Sequence, residues 1–180
     1  MDSRALADGS GARAPGGVIR LLEPGDEHEL AELYRANRDF LRPYEPRRPD
    51  EFFTAAGQRR RIDRIGHDLW RWAIEAEGRM VGMIALADVV RDPVQAGNVG
   101  YWVDRRHNGR GLATSAVADV VRFAFGEAAL HRLEAGTLPD NFASQRVLEK
   151  NGFVRFGFAR KLLRIDGEWR DHVLFELVAD

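Results

Sequence analysis

The stretch Gly100-Tyr101-Trp102-Val103-Asp104-Arg105-Arg106-His107-Asn108-Gly109-Arg110-Gly111-Leu112-Ala113-Thr114 constrains this chain most. Its aromatic and β-branched start predicts a strand over 98–103, and the glycines at 109 and 111 predict a turn. An Ala/Val-rich run follows, with Ala113, Val117, Val120, Val121 and Ala124 on one face, and predicts a helix over 111–127. A strand that feeds directly into a helix puts the unpaired N–H groups of the helix start at the strand's end, where the helix dipole favours an anion. Gly109 and Gly111 carry no β-carbon, so a phosphate can approach the backbone closely. Arg106 and Arg110 can add charge-assisted hydrogen bonds. The same glycines would also serve a tight turn and nothing more, and this segment alone leaves both readings open. Two other phosphate-binding loops fit worse. A Gly-Lys-Ser/Thr triplet is missing, and Thr114 stands where a dinucleotide fingerprint needs its third glycine.

Around this segment the pattern predicts an α/β fold. Residues 1–17 are rich in Gly, Ala and Ser and read as a flexible tail, leaving 18–180 as one domain. Strands are expected at 18–22, 70–76, 80–90 and 132–137, and helices at 27–38, 50–66 and 141–151, with Gly152 as the left-handed residue closing the last. Gly82, inside a strand, marks a bulge or a close backbone approach. The prolines at 43 and 46 make 41–46 a loop. Residues 153–165 and 169–178 form a hairpin about Asp166-Gly167-Glu168. The order implies a mixed, mostly antiparallel sheet flanked by helices, with one strand–helix–strand crossover in the middle.

Composition removes several classes of function. A net charge of −1 gives no footprint for nucleic acid or an anionic membrane. With no cysteine there is no thiolate nucleophile or thiolate metal site, and His28, His67, His131 and His172 lack metal-ligand spacing, so no metal is expected. No apolar run approaches the about 20 residues of a membrane helix, and the N-terminus lacks a signal-peptide core, so a cytoplasmic monomer or homodimer is the expectation.

Arg106-x-x-Gly109-x-Gly111, after a strand and before a helix, resembles the acetyl-CoA signature of the GNAT N-acetyltransferases. Asn141-x-x-Ser144-x-x-Val147-Leu148-Glu149-Lys150-Asn151-Gly152-Phe153 resembles that family's later helix. Tyr34-Arg35-x-Asn37-Arg38-x-Phe40-Leu41-x-Pro43-Tyr44-Glu45-Pro46 and Ile165-Asp166-Gly167-Glu168-Trp169-Arg170-Asp171-His172 resemble the ribosomal-protein-alanine (RimJ-type) branch. The resemblance implies acetyl-CoA as co-substrate and an amine acceptor: a protein or peptide N-terminus first, with a small amine as the alternative. It places a main-chain N–H of Tyr101, Trp102 or Val103 at the thioester oxygen. Asn141 lies at the pantetheine, and Arg106, Asn108, Gly109, Arg110, Gly111, Leu112 and Ala113 surround the pyrophosphate. The family's usual acid, a tyrosine before Glu149, is replaced by Leu148. That departure leaves a non-catalytic acyl-CoA sensor as a reading of another class. Ser144 is the implied substitute acid, and Glu45 the group that binds or deprotonates the amine. An α-amine with pKa about 7.7–8.0 is already roughly a fifth to a third neutral near pH 7.4, whereas a lysine at about 10.4 is neutral about one time in a thousand. An N-terminal acceptor therefore tolerates a weak base.

Overall fold

A computed structural model describes residues 17–66 and 68–179. The expected tail, apart from Gly17, and His67 lie outside the described residues. Seven strands, β1 (Ile19–Leu21), β2 (Trp70–Ala76), β3 (Arg79–Val90), β4 (Ala96–Val103), β5 (Arg132–Thr137), β6 (Val154–Ile165) and β7 (Glu168–Val178), form one sheet in the order β1-β2-β3-β4-β5-β7-β6. Only β4 and β5 run parallel, joined by the crossover helix α4 (Leu112–Phe125); every other neighbouring pair is antiparallel. The mixed, mostly antiparallel sheet is the architecture the sequence predicts.

The strands' two-residue period sorts side chains onto two faces. Trp70, Trp72, Ile74, Val81, Ile84, Val99 and Val103 point to the face covered by α4 and α5 (Phe142–Lys150), where Val117, Val120 and Leu148 complete the core. Ala73, Met80, Met83 and Trp102 point to the other face. There Leu30, Leu33 and Tyr34 of α1 (Glu27–Ala36), Leu41 at the end of α2 (Arg38–Leu41) and Ile62 of α3 (Ala55–Ile62) cover them. Burying one such large apolar side chain stabilises the fold by about 1.5–3 kcal/mol.

Two helices differ from expectation, each for a local reason. The first is interrupted at Asn37, whose buried side-chain amide donates to Leu33 O (3.0 Å) while its Oδ1 accepts from Arg105 N (3.2 Å). The chain then continues as α2, so Leu41 is helical rather than part of the loop. The second breaks into a 3₁₀ turn, Asp50–Phe53, and then α3, because Thr54 is extended and caps α3 by accepting from Gly57 N (3.0 Å). Helical periodicity runs through both breaks and does not register them.

Pairing between β4 and β5 covers only Ala96–Asn98 against Arg132–Glu134. Beyond Asn98, β4 keeps its β3 partner and the two parallel strands diverge. Behind this opening, a β-carbon on Gly82 would lie 2.4 Å from Trp102 O. Gly82 therefore marks the close backbone approach of β3 to β4, next to the register shift on its β2 side.

Candidate active site

The divergence of β4 from β5 opens a cleft of about 460 Å³, walled by the end of β4, the loop after it, and the first turns of α4 and α5. Of the residues singled out from sequence, Tyr101, Trp102, Val103, Asn108, Gly109, Gly111, Leu112, Ala113, Asn141 and Ser144 all line it. Gly109 and Gly111 have φ of +77° and +79°, the left-handed region that side chains resist, and a β-carbon on either would meet nothing within 4 Å. The loop thus enters α4 with its floor clear, and the N–H groups of Leu112, Ala113 and Thr114 lie in the first turn, where a helix offers no internal acceptor. His107 also lines the cleft, and its buried Nδ1 has no hydrogen-bond partner among the described residues.

Two arginines stand elsewhere. The Arg106 guanidinium folds back onto Asp104 (Nη2–Oδ2 2.6 Å, Nε–Oδ2 3.1 Å) and does not line the cleft. The pairing holds the Asp104 carboxyl below the usual carboxylate range, and Asp104 in turn accepts from Arg106 N (3.0 Å) and shapes the loop. Arg110 reaches out toward Glu77 (3.4 Å). The cations on the cleft wall come instead from α5: Arg146 and Lys150, four residues apart and so on one helix face. That spacing was visible in the sequence and is the signal that would have found them.

Asn141 caps α5 by accepting from Ser144 N (3.2 Å). Ser144 Oγ lies 2.9 Å from the Tyr101 hydroxyl, which also donates to Ser144 O (3.1 Å). A phenol has one proton; when Tyr101 gives it to the carbonyl, the serine hydroxyl donates to Tyr101. Burial pushes the Tyr101 pKa up to about 12, so this pair stays protonated at neutral pH. The role of the Tyr101 side chain, as distinct from its main chain, escapes a reading of sequence, because nothing local couples positions 101 and 144. Leu148 is wholly buried in the core and does not line the cleft.

Glu45 does not line this cleft. It borders a second cavity of about 280 Å³, together with Tyr34, Arg38, Arg42, Arg47, Arg48 and Asp166. Leu41 lines both cavities and forms part of the partition. Behind it, Tyr34 accepts a hydrogen bond from Trp102 Nε1 (3.0 Å). Burial raises the Glu45 carboxyl above its ordinary range, only partly offset by Arg48 and Arg61.

An anion-receptive helix start at the mouth of a split parallel strand pair fits a phosphate-bearing thioester carrier, and the relatives agree. The acetyltransferase (GNAT) domain family matches residues 18–154. The chain belongs to the GNAT acetyltransferase family. It is 40% identical over 167 residues to the probable N-acetyltransferase YjcK of Bacillus subtilis (strain 168), covering 89% of this chain and 92% of that protein. Among solved structures, the ribosomal-protein-S5-alanine acetyltransferase from Vibrio fischeri superposes with a TM-score of 0.87 at 32% identity, covering 90% of this chain and 92% of that one. Mycobacterium smegmatis RimJ, in complex with CoA-disulfide, gives 0.83 at 29%, covering 93% and 85%. This GNAT protein is an acetyl-CoA-dependent N-acetyltransferase. No helix among its described residues is long and apolar enough to cross a membrane.

Proposed function

We propose that the acceptor is the α-amine of a protein or peptide N-terminus, and that the amine attacks the thioester directly while both substrates are bound. The observation that carries this reading is that no carboxylate lines the 460 Å³ cleft among the described residues. A lysine or polyamine nitrogen must lose its proton to a strong base before it can attack, and a cleft bordered by Arg146 and Lys150 does not attract a polycation. An α-amine, already partly neutral near pH 7.4, needs only weak help. The name of the Vibrio fischeri relative, which acts on a ribosomal-protein alanine, supports the same acceptor class.

In this reading Leu112, Ala113 and Thr114 receive the pyrophosphate on their N–H groups, with Asn108, Gly109 and Gly111 giving it room. Arg146 and Lys150 add cations from the α5 wall. Along Tyr101–Val103, where β4 has left β5, a main-chain N–H faces the opening and stabilises the developing oxyanion. Attack forms the C–N bond and breaks the C–S bond; the departing thiolate takes a proton from Ser144, Tyr101 at 2.9 Å passes its own proton to the serine, and solvent returns one to Tyr101. Glu45, held in the adjoining cavity, accepts the ammonium proton through solvent.

The test is acetyl transfer to Ala- and Ser-starting peptides set against a panel of free amines, spermidine and N-blocked lysine peptides included. Peptide kcat/KM is expected to exceed that of any free amine by at least tenfold. Faster turnover of spermidine or of the lysine peptides overturns the assignment.

A further inference from the structure

The second cavity is an unusual place for four guanidinium groups. Arg42 and Arg47 both bind Asp166, one to each oxygen, and each uses only its Nε (3.0 and 3.1 Å). Their terminal nitrogens make no hydrogen bond among the described residues. Arg48 lies over the Phe52 ring, 4.9 Å from its centroid, and its nearest carboxylate oxygen, on Glu45, is 3.9 Å away, too far for a hydrogen bond. Arg38 is held likewise over Phe53 at 4.4 Å and gives one nitrogen to the exposed Asp50. Stacking fixes the plane of a guanidinium while leaving its edge donors free.

Acceptors are scarce beside these donors. Three carboxylates line the cavity: both oxygens of Asp166 are engaged, Glu45 is half-buried and sits 3.9 Å from Arg48 Nε, and Asp39 faces solvent. The cavity therefore presents a fork of oriented N–H groups without matching oxygens, which is the complement of a carboxylate. Its position says whose carboxylate. Leu41 separates it from the cleft, so one side-chain thickness divides the two chambers. An extended peptide advances about 3.3–3.6 Å per residue, so a chain whose amine is in the cleft passes this cavity about two to four residues later.

We propose that the arginine-lined cavity receives the carboxylate of an Asp or Glu side chain a few residues after the acceptor's N-terminal amine, making the enzyme selective for acceptors with an acidic third to fifth residue. This rests on the N-terminal reading above and goes beyond it in naming the substrate class. Arg48 is the principal contact, with the terminal nitrogens of Arg47 and Arg42 closing the fork.

The experiment is a positional scan. Alanine-starting hexapeptides of Gly and Ser carry one Glu at positions 2 to 6, each paired with its Gln counterpart, and kcat/KM is measured for both. Glu is expected to exceed Gln by about tenfold at one or two positions, through acceptor KM, with the ratio shrinking at high salt. In Arg48→Gln the ratio falls toward one while the KM for acetyl-CoA holds, and Arg47→Gln gives a smaller fall. At saturating acetyl-CoA, which keeps the α4 helix start occupied, added inorganic phosphate should compete with the Glu peptide and leave the Gln peptide unaffected. A ratio near one at every position overturns the proposal, as does a tenfold ratio that survives both substitutions, or equal modulation of both peptides by phosphate, which would make the cavity a site for free anions. In those cases the peptides are still acetylated and the N-terminal reading stands; failure to acetylate any peptide takes both down.

Discussion

The cleft beside β4 and the arginine-lined cavity share Leu41 but are built in different ways. The floor of the cleft is a strand edge left without its partner, two left-handed glycines and a helix start, contiguous between residues 101 and 114, with side chains of α5 facing it. The cavity is made of side chains gathered from α1, α2, the proline loop and the tip of the β6–β7 hairpin, with Arg42 binding Asp166 across 124 positions. Main-chain geometry suits the part of the reaction that does not vary, since the diphosphate of the carrier is the same for every acceptor. Side chains, exchanged one at a time, suit the part that chooses among acceptors.

Substitutions can separate the two regions. The largest effect is expected for Gly111→Val. The left-handed conformation costs a residue with a β-carbon about 1–2 kcal/mol, and the branched side chain would fill the space above the helix start. Acetyl-CoA affinity measured calorimetrically should fall at least tenfold, with the circular dichroism spectrum retained; unchanged affinity would break the assignment of the loop.

Glu45→Gln comes next. Because burial lifts this carboxyl, the acid limb of kcat/KM should rise through a midpoint above the ordinary carboxylate range, since the base works only once deprotonated. The substitution should lower kcat/KM by about tenfold at neutral pH, less than a full general base supplies, because an α-amine is already partly neutral. It should also remove that limb from the pH profile. The sign for stability is the reverse of the usual carboxylate case: the folded protein holds this proton more tightly, so Glu45 contributes stability at low pH that is lost as pH rises through its raised pKa.

Asp166→Asn tests the long-range tie. The carboxylate binds Arg42 and Arg47, and Asp166 N donates to Glu45 O (3.0 Å), so the hairpin tip latches the loop that carries Glu45. Loosening one charge-assisted fork should raise acceptor KM by about fivefold. The KM for acetyl-CoA should hold, and a change in both constants would erase the distinction between the two regions. Arg42 and Arg47 depress the Asp166 pKa, so what the latch adds to stability is present above the carboxyl's unfolded value and lost as pH falls below it. The smallest effect is expected for Ser144→Ala, about threefold in kcat, because a thiolate leaves with little help from an acid. Single-turnover kinetics would read it, and an unaltered rate would dismiss Ser144 as donor.

The same division decides what sequence can reveal. The strand–glycine–helix passage and the α5 cap at Asn141 are local patterns with fixed spacing, and they led to the cleft directly. The mixed sheet followed from alternating and helical periods, and the hairpin from Asp166-Gly167. What is not legible depends on side-chain pairings, some local and some distant, that periodicity does not carry. Arg106 was expected at the phosphate, but Asp104, two residues away and buried, holds its guanidinium. Asn37 and Thr54 interrupt helices by side-chain hydrogen bonds that hydrophobic periodicity cannot register. The hydroxyl pair of Tyr101 and Ser144 forms across 43 residues, and the arginine fork over a still longer separation.

Gly82 bears on the cleft through its β4 wall. With no side chain there, the β3 backbone seats directly against Trp102 O. The end of β4 that walls the cleft is thus seated on bare β3 backbone. A single added carbon at that position would act as a wedge against Trp102 and Val103, two of the residues that line the aperture, and would shift the strand that carries them.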